Sequence, residues 1–143
     1  MTKNRYLTRL SQVSQLADTK DLHSLQKVEQ RYAFRSNEYY LSLIDWDDPR
    51  DPIRRIVIPH QDEHENWGQL DASGEHNYAK ARGLEHKYPD TALLLTSDVC
   101  GSLCRFCFRK RIFMADNNEV SRDVSAGLAY IRKHPEINNV LLT

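Results

Sequence analysis

No apolar run in this sequence is long: the longest, Ala92 to Leu95, is a small fraction of the roughly 20 residues that a membrane-spanning helix requires. A helical span is therefore not expected, nor a membrane partner. Charge of one sign is not in excess either, because 20 lysines and arginines balance 20 aspartates and glutamates, and the average surface offers no long-range field to gather nucleic acid or anionic lipid. Any basic site has to be local. An apolar signal-peptide centre is missing too, since the amino-terminal MTKNRYLTRLSQ is interrupted throughout by charged and polar residues. A cytoplasmic location is expected. Internal repeats and low-complexity tracts are absent, and 143 residues suffice for one modest domain or a piece of one. Cysteine is scarce, and the three present crowd into eight residues, too close and too few for a closed disulfide framework. A reducing compartment follows, and chemistry rather than crosslinking is the expected use of the thiols.

What is present reads as a mixed α/β chain. Leu7, Leu10, Val13 and Leu16 recur at near-helical spacing, and after the polar break Asp18 to Asp21 a second stripe runs through Leu22, Leu25, Val28 and Tyr32. Two amphipathic helices are predicted. Asn37 suits the cap of a third, short helix with Tyr40, Leu41 and Ile44, and the prolines of DWDDPRDP are expected to stop regular structure. The stretch from His60 to Gly74 is polar without a period and reads as a surface connection; a helix is expected to resume over Asn77 to His86. TALLLTS, from Thr91, has strand length and reads as a strand buried on both faces. Ser121 suits the cap of a helix reaching about His134, with Val124, Leu128 and Ile131 on one face, and Ile137 to Thr143 closes the chain as a second strand. Such a strand, loop, helix, strand unit builds a parallel sheet, and in barrels of this kind ligands sit at the carboxyl ends of the strands. The cysteines follow one such end directly.

Cys100-Gly-Ser-Leu-Cys104-Arg-Phe-Cys107 places three soft thiolate ligands in one short loop, which suits an iron–sulfur cluster or zinc and suits magnesium or calcium poorly. A structural zinc site wants four ligands, and the chain has no fourth cysteine, although a distant histidine could complete the set. A four-iron cube on three thiolates keeps one iron open for an exogenous ligand. A reduced, buried trio with no ligand is the bland alternative. Arg105, Arg109, Lys110 and Arg111 surround the loop and could offset the charge of a thiolate-bound cluster; their simplest reading is a partly solvated basic face. His60-Gln-Asp-Glu63-His64 matches an inverted zinc-protease pattern, but it follows Pro59 in a polar stretch without an apolar helix face and reads as a solvated loop. RFCFRKRIF also interleaves cations with Phe106, Phe108 and Phe113, as single-strand nucleic-acid binders do.

The three-then-two cysteine spacing, with Phe106 just before the last cysteine, resembles the signature of radical S-adenosylmethionine enzymes. With NEYYLSLIDWDDPRDPIRRIVIP, KYPDTALLLTSDVCGSLCRFCFRKRIF and INNVLLT, the chain from about Asn37 onward resembles the lysine 2,3-aminomutase family, and its first 36 residues are loosely similar to that family's helical extension. The resemblance implies a mainly helical region over 1–87 followed by the start of a partial (β/α) barrel over 88–143. It implies a [4Fe-4S] cluster on Cys100, Cys104 and Cys107, Phe106 against the adenine side of S-adenosylmethionine, and Arg109 on a substrate carboxylate. It also implies pyridoxal phosphate, migration of an amino group between adjacent carbons of lysine or a related amino acid, and an electron donor such as a flavodoxin or ferredoxin. A homo-oligomer stays open, and no nucleic-acid partner is expected on this reading. Phe108 is more like relatives acting on a lysine of a translation elongation factor, where free-lysine mutases carry threonine. The chain is expected to stop short of the family's glycine-rich S-adenosylmethionine motif and of the lysine that binds pyridoxal phosphate, because Lys80, Lys87, Lys110 and Lys133 precede that region. On this expectation it performs no amino-group migration alone.

Overall fold

Leu7, Leu10, Val13 and Leu16 all come out buried, yet not on one helix. A strict interval of three fits a three-residue turn better than the 3.6 of an α-helix. The segment accordingly divides into strand β1 (Tyr6–Leu7), a 3-10 turn over Leu10–Gln12 and the single-turn helix α1 (Ser14–Ala17), so the predicted continuous helix is corrected. This computed structural model describes residues 5–17, 19–65 and 68–143. Asp18 of the expected polar break, and Asn66 and Trp67 of the expected surface connection, lie outside the described residues.

The chain folds as two units, Met1–Gly68 with Cys100–Lys110, and Gln69–Val99 with Arg111–Thr143. In the first, helix α2 (Leu22–Arg31) turns Leu25 and Val28 inward, as its stripe predicts. Strand β2 (Ser36–Asn37) pairs antiparallel with β1, and Asn37 then caps helix α3 (Glu38–Ser42), its side-chain oxygen accepting from the Tyr40 amide at 2.8 Å. Helix α3 ends before DWDDPRDP and Pro49 lies among turns, as expected, but Pro52 does not stop regular structure. Pro52 occupies the first turn of helix α4 (Pro52–Val57), and Asp51 caps it by accepting from the Arg54 amide at 2.6 Å. Proline lacks only an N–H that a first turn leaves without a helical partner, so the Asp-Pro pair starts a helix here. Leu7, Leu10, Val13, Leu16, Leu25, Phe34, Leu41, Ile44, Val57 and Ile58 make this unit's core.

The second unit is a four-stranded sheet whose strands lie side by side in chain order, covered by helix α5 (Ser125–Lys133). The helix expected over Asn77 to His86 is instead a 3-10 turn, Glu75–Tyr78, followed by a hairpin of β3 (Ala79–Ala81) and β4 (Leu84–Tyr88). Gly83 makes the turn, with φ of +73° in the left-handed region, and a Cβ there would stand 2.9 Å from Ser121 Cβ and 3.1 Å from the Leu95 carbonyl. β4 runs antiparallel to β5 (Thr91–Leu94), and β5 runs parallel to β6 (Asn139–Leu142), with Ala92 opposite Val140 and Leu94 opposite Leu142. The strand–helix–strand reading holds at β5, α5 and β6. Burial along β5 alternates, Ala92 and Leu94 being inside and Thr91 and Leu93 half-buried, so the strand is not enclosed on both faces as expected. Gly127 brings α5 close: a Cβ there would lie 2.6 Å from Leu94 Cδ1. Ser121 does not cap α5; its hydroxyl donates to the Asp123 carbonyl at 2.7 Å and Val124 stands at the cap. The whole is a mixed α/β protein, and among the described residues no helix is long and apolar enough to cross a membrane.

Candidate metal centre on the cysteine loop

The loop is stitched into the first unit at alternate residues. Leu103 is buried and its amide donates to the Arg35 carbonyl at 2.8 Å; the Arg105 amide donates to the Ile56 carbonyl at 2.7 Å. Ser102 and Ser36 place their hydroxyls 3.3 Å apart. Two tight turns follow, the Cys107 amide donating to the Cys104 carbonyl and the Lys110 amide to the Cys107 carbonyl, each at 3.1 Å. With Leu103 and Arg105 directed inward, their neighbours stay near the surface. Cys104 and Cys107 are half-buried, Cys100 is exposed, and all three thiols are free. The Cys100 thiol donates to the Ser102 carbonyl at 3.2 Å.

The side chains around the thiols are only in part the partly solvated basic face expected: Arg109 and Lys110 are half-buried. Arg105 is buried, and it lays a bidentate grip on Glu63, Nε to Oε1 at 3.0 Å and Nη2 to Oε2 at 2.7 Å, while Nη1 donates to the Ala33 carbonyl at 2.9 Å. Lys110 donates to Glu63 Oε2 as well, and its ammonium lies 4.3 Å from the centre of the Tyr32 ring. Burial by itself would push the Glu63 carboxyl up, but the hydrogen bonds from Arg105 and Lys110 outweigh it and hold the group below its ordinary value. HQDEH is thus only partly the solvated loop expected of it. Its histidines are exposed, His60 capping and His64 ending a 3-10 turn over Gln61–His64, whereas Glu63, between them, is an internal counter-ion.

In the second unit Arg111 is likewise spent on carboxylates. Its Nη2 donates to Glu75 Oε2 and Glu119 Oε2, both at 2.8 Å, its Nε to Glu119 Oε1 at 2.8 Å, and Nη1 forms an ion pair with Asp71 at 3.5 Å without hydrogen-bond geometry. Burial disfavours the charged guanidinium, yet its hydrogen bonds to Glu119 and Glu75 raise its affinity for the proton.

Phe106 and Phe108 carry large exposed surfaces, 69% and 54%, and Arg109 is half-buried with its guanidinium 5.0 Å from the centre of the Phe108 ring. The structure puts Cys100, Cys104, Cys107, Phe106 and Arg109 on one loop. It does not draw the thiols to one point: among the described residues no three histidine, cysteine or acidic side chains converge as a metal-ready set. The donor chemistry fits an iron–sulfur cluster nonetheless, because three unpaired, accessible thiols lie on one loop and residues between them are fixed. Sequence reasoning missed Glu63 as a member of this neighbourhood. Its only local signal is a capping box, Glu63 Oε1 accepting from the His60 amide at 2.9 Å, which says nothing of Arg105, 42 positions on.

Fold and loop together define a mixed α/β protein with a three-thiol site, and comparison with known proteins gives the class a family. A protein of Aquifex aeolicus provisionally named as an L-lysine 2,3-aminomutase is 62% identical over 141 residues, 99% of this chain and 37% of the relative. L-lysine 2,3-aminomutase of Clostridium subterminale is 39% identical over 108 residues, 73% of this chain and 26% of the relative. Glutamate 2,3-aminomutase of Clostridioides difficile is 32% identical over 126 residues, 87% of this chain and 30% of the relative. No protein-family model matches the chain. By these matches the chain belongs to the lysine 2,3-aminomutase family, and it spans about a third of the length of the curated relatives it matches.

Proposed function

We propose that this chain supplies the cluster-binding part of a radical S-adenosylmethionine aminomutase, an enzyme moving an amino group between adjacent carbons of lysine or a related amino acid. The observation that carries the reading is the set of three free thiols on one fixed loop, Cys100, Cys104 and Cys107, in a chain similar to enzymes named as lysine and glutamate 2,3-aminomutases. The bound [4Fe-4S] cluster would supply an electron to the sulfonium of S-adenosylmethionine, received in turn from a donor such as a flavodoxin or ferredoxin. Each protein residue then has a physical task. The three cysteines would hold three irons and leave the fourth open to the amino and carboxylate groups of S-adenosylmethionine. Phe106, with its ring largely in solvent, would offer an apolar face to the adenine. Arg109 would grip the substrate carboxylate with its planar fork, which a lysine cannot reproduce. Residues 88–143 would begin the family's partial barrel, with 1–87 preceding it, in a cytoplasmic enzyme. Pyridoxal phosphate would serve the same reaction, and no lysine of this chain is assigned to it. A lysine within a protein is the alternative substrate, supported by Phe108.

Anaerobic reconstitution with iron and sulfide tests this. About four irons per chain, with a spectrum that changes when S-adenosylmethionine is added, is the expected result. Alanine at Cys100, Cys104 or Cys107 should abolish it. Stoichiometric zinc after aerobic purification, with no iron taken up anaerobically, overturns the reading.

A further inference from the structure

Glu63 accepts four donors on one carboxylate: the His60 amide and Arg105 Nε on Oε1, and Arg105 Nη2 and Lys110 Nζ on Oε2. That fills the roughly four acceptor sites a carboxylate has, so the group is saturated and fixed in orientation. Two of its three partners flank the thiols, since Arg105 stands between Cys104 and Cys107, and Lys110 follows Cys107. Arg105 is also tied by its amide to Ile56 and by Nη1 to Ala33, so its backbone and its side chain are both held. A bidentate pair with Glu63 side-chain exposure of 13% and Arg105 exposure of 5% is shielded from the solvent competition that weakens surface ion pairs.

From these contacts the geometry points to Glu63 as a positioning residue for the cysteine loop: it clamps Arg105 and Lys110 so that Cys104 and Cys107 are presented in one fixed arrangement to the metal cluster. This rests on the cluster reading above. Residues that orient metal ligands through a further contact affect metal retention by about 10- to 100-fold when removed. Ordinary loss of stability is a different effect. It is separated by comparison with Val13→Ala, a core truncation in the same unit at a residue 1% exposed whose backbone hydrogen bonds run to Leu10 and Leu16.

Three chains, wild type, Glu63→Gln and Val13→Ala, are reconstituted anaerobically and held well below their unfolding temperatures. The rate of iron loss to a chelator and the visible circular dichroism of the cluster are then recorded. In the metal-free chains the alkylation rates of Cys104 and Cys107 are measured by mass spectrometry. Expected for Glu63→Gln are iron loss faster by about tenfold or more, an altered cluster spectrum, and faster alkylation of both thiols. Val13→Ala should match wild type in all three. Equal retention, spectrum and alkylation in wild type and Glu63→Gln would overturn the role of Glu63 while leaving the cluster reading standing. The same holds if Val13→Ala shows the same losses as Glu63→Gln. A wild-type chain that takes up no iron overturns the cluster reading, and this one with it.

Discussion

Glu63 and Arg105, 42 residues apart, meet as a bidentate pair at 3.0 and 2.7 Å with both side chains almost out of solvent. Removing one partner of such a pair leaves a charge without its counter-ion, so Glu63→Gln should destabilise the first unit by about 3 kcal/mol. Urea unfolding of the metal-free chain at neutral pH measures it.

The same pair sets an acid sensitivity. The folded Glu63 carboxyl titrates below its unfolded value of about 4.3, so its contribution is fully present above that value and is lost as pH falls through the folded one. Wild type should therefore lose stability between neutral pH and pH of about 3 more steeply than Glu63→Gln, which has no proton to bind there. Parallel slopes for the two proteins in unfolding series across that range would remove Glu63 from the account.

Arg111 plays a comparable part in the second unit. Glu75 is 6% exposed, and Arg111→Met would leave it, with Asp71 and Glu119, without the guanidinium that all three face. A loss of about 3 kcal/mol is expected, and Arg111→Lys should recover only part of it, because an ammonium cannot serve Glu75 and both oxygens of Glu119 from a planar fork. Thermal unfolding of the two variants beside wild type decides it.

The sequence exposes this fold where a local rule and the tertiary environment agree. Asn37 is a polar cap before an apolar step, and Leu25 and Val28 share one face of α2, so both helices are readable. Thr91 to Leu94 is too short and too apolar for anything but a strand. The hairpin is hidden because Ala79, Lys80, Ala81, Arg82, Leu84 and Glu85 are all good helix formers, and what defeats them is pairing of Leu84 with Leu94 and Glu85 with Leu93. Of the site, the cysteines are visible through spacing alone. The fate of Arg105, Lys110 and Arg111 is not, since a cation's partner is set by the fold, and the partners Glu63 and Glu75 sit in polar stretches that look solvated.

Gly83 offers a test of that hairpin. Alanine there would have to hold φ near +73° and bring a Cβ within 2.9 Å of Ser121 Cβ and 3.1 Å of the Leu95 carbonyl. The left-handed backbone alone costs about 1 to 2 kcal/mol, and the neighbouring atoms include backbone, which cannot swing aside as a side chain can. Gly83→Ala should lower stability by about 2 kcal/mol or more, whereas Gly68→Ala, with φ +84° and open space, should show the backbone cost alone. Equal losses in chemical denaturation would mean that the contacts around Gly83 relax freely.

Arg109 tests the substrate assignment separately from the cluster. Its guanidinium lies 5.0 Å from the Phe108 ring centre, and a guanidinium's planar fork matches the two oxygens of a carboxylate. Arg109→Lys keeps the charge and gives up the fork. A charge-assisted hydrogen bond contributes about 1.5 to 3 kcal/mol, so the variant should bind the amino-acid substrate roughly 10- to 100-fold more weakly. Cluster content should not change, because the thiols and the Glu63 contacts to Arg105 and Lys110 are left in place. The measurement is binding of L-lysine, in the presence of S-adenosylmethionine, to a cluster-loaded full-length relative that carries the same loop, with and without this substitution, iron being determined on the same samples. Unchanged affinity at full iron content would take Arg109 out of the substrate site, and lost iron would mean that Arg109 serves the loop instead.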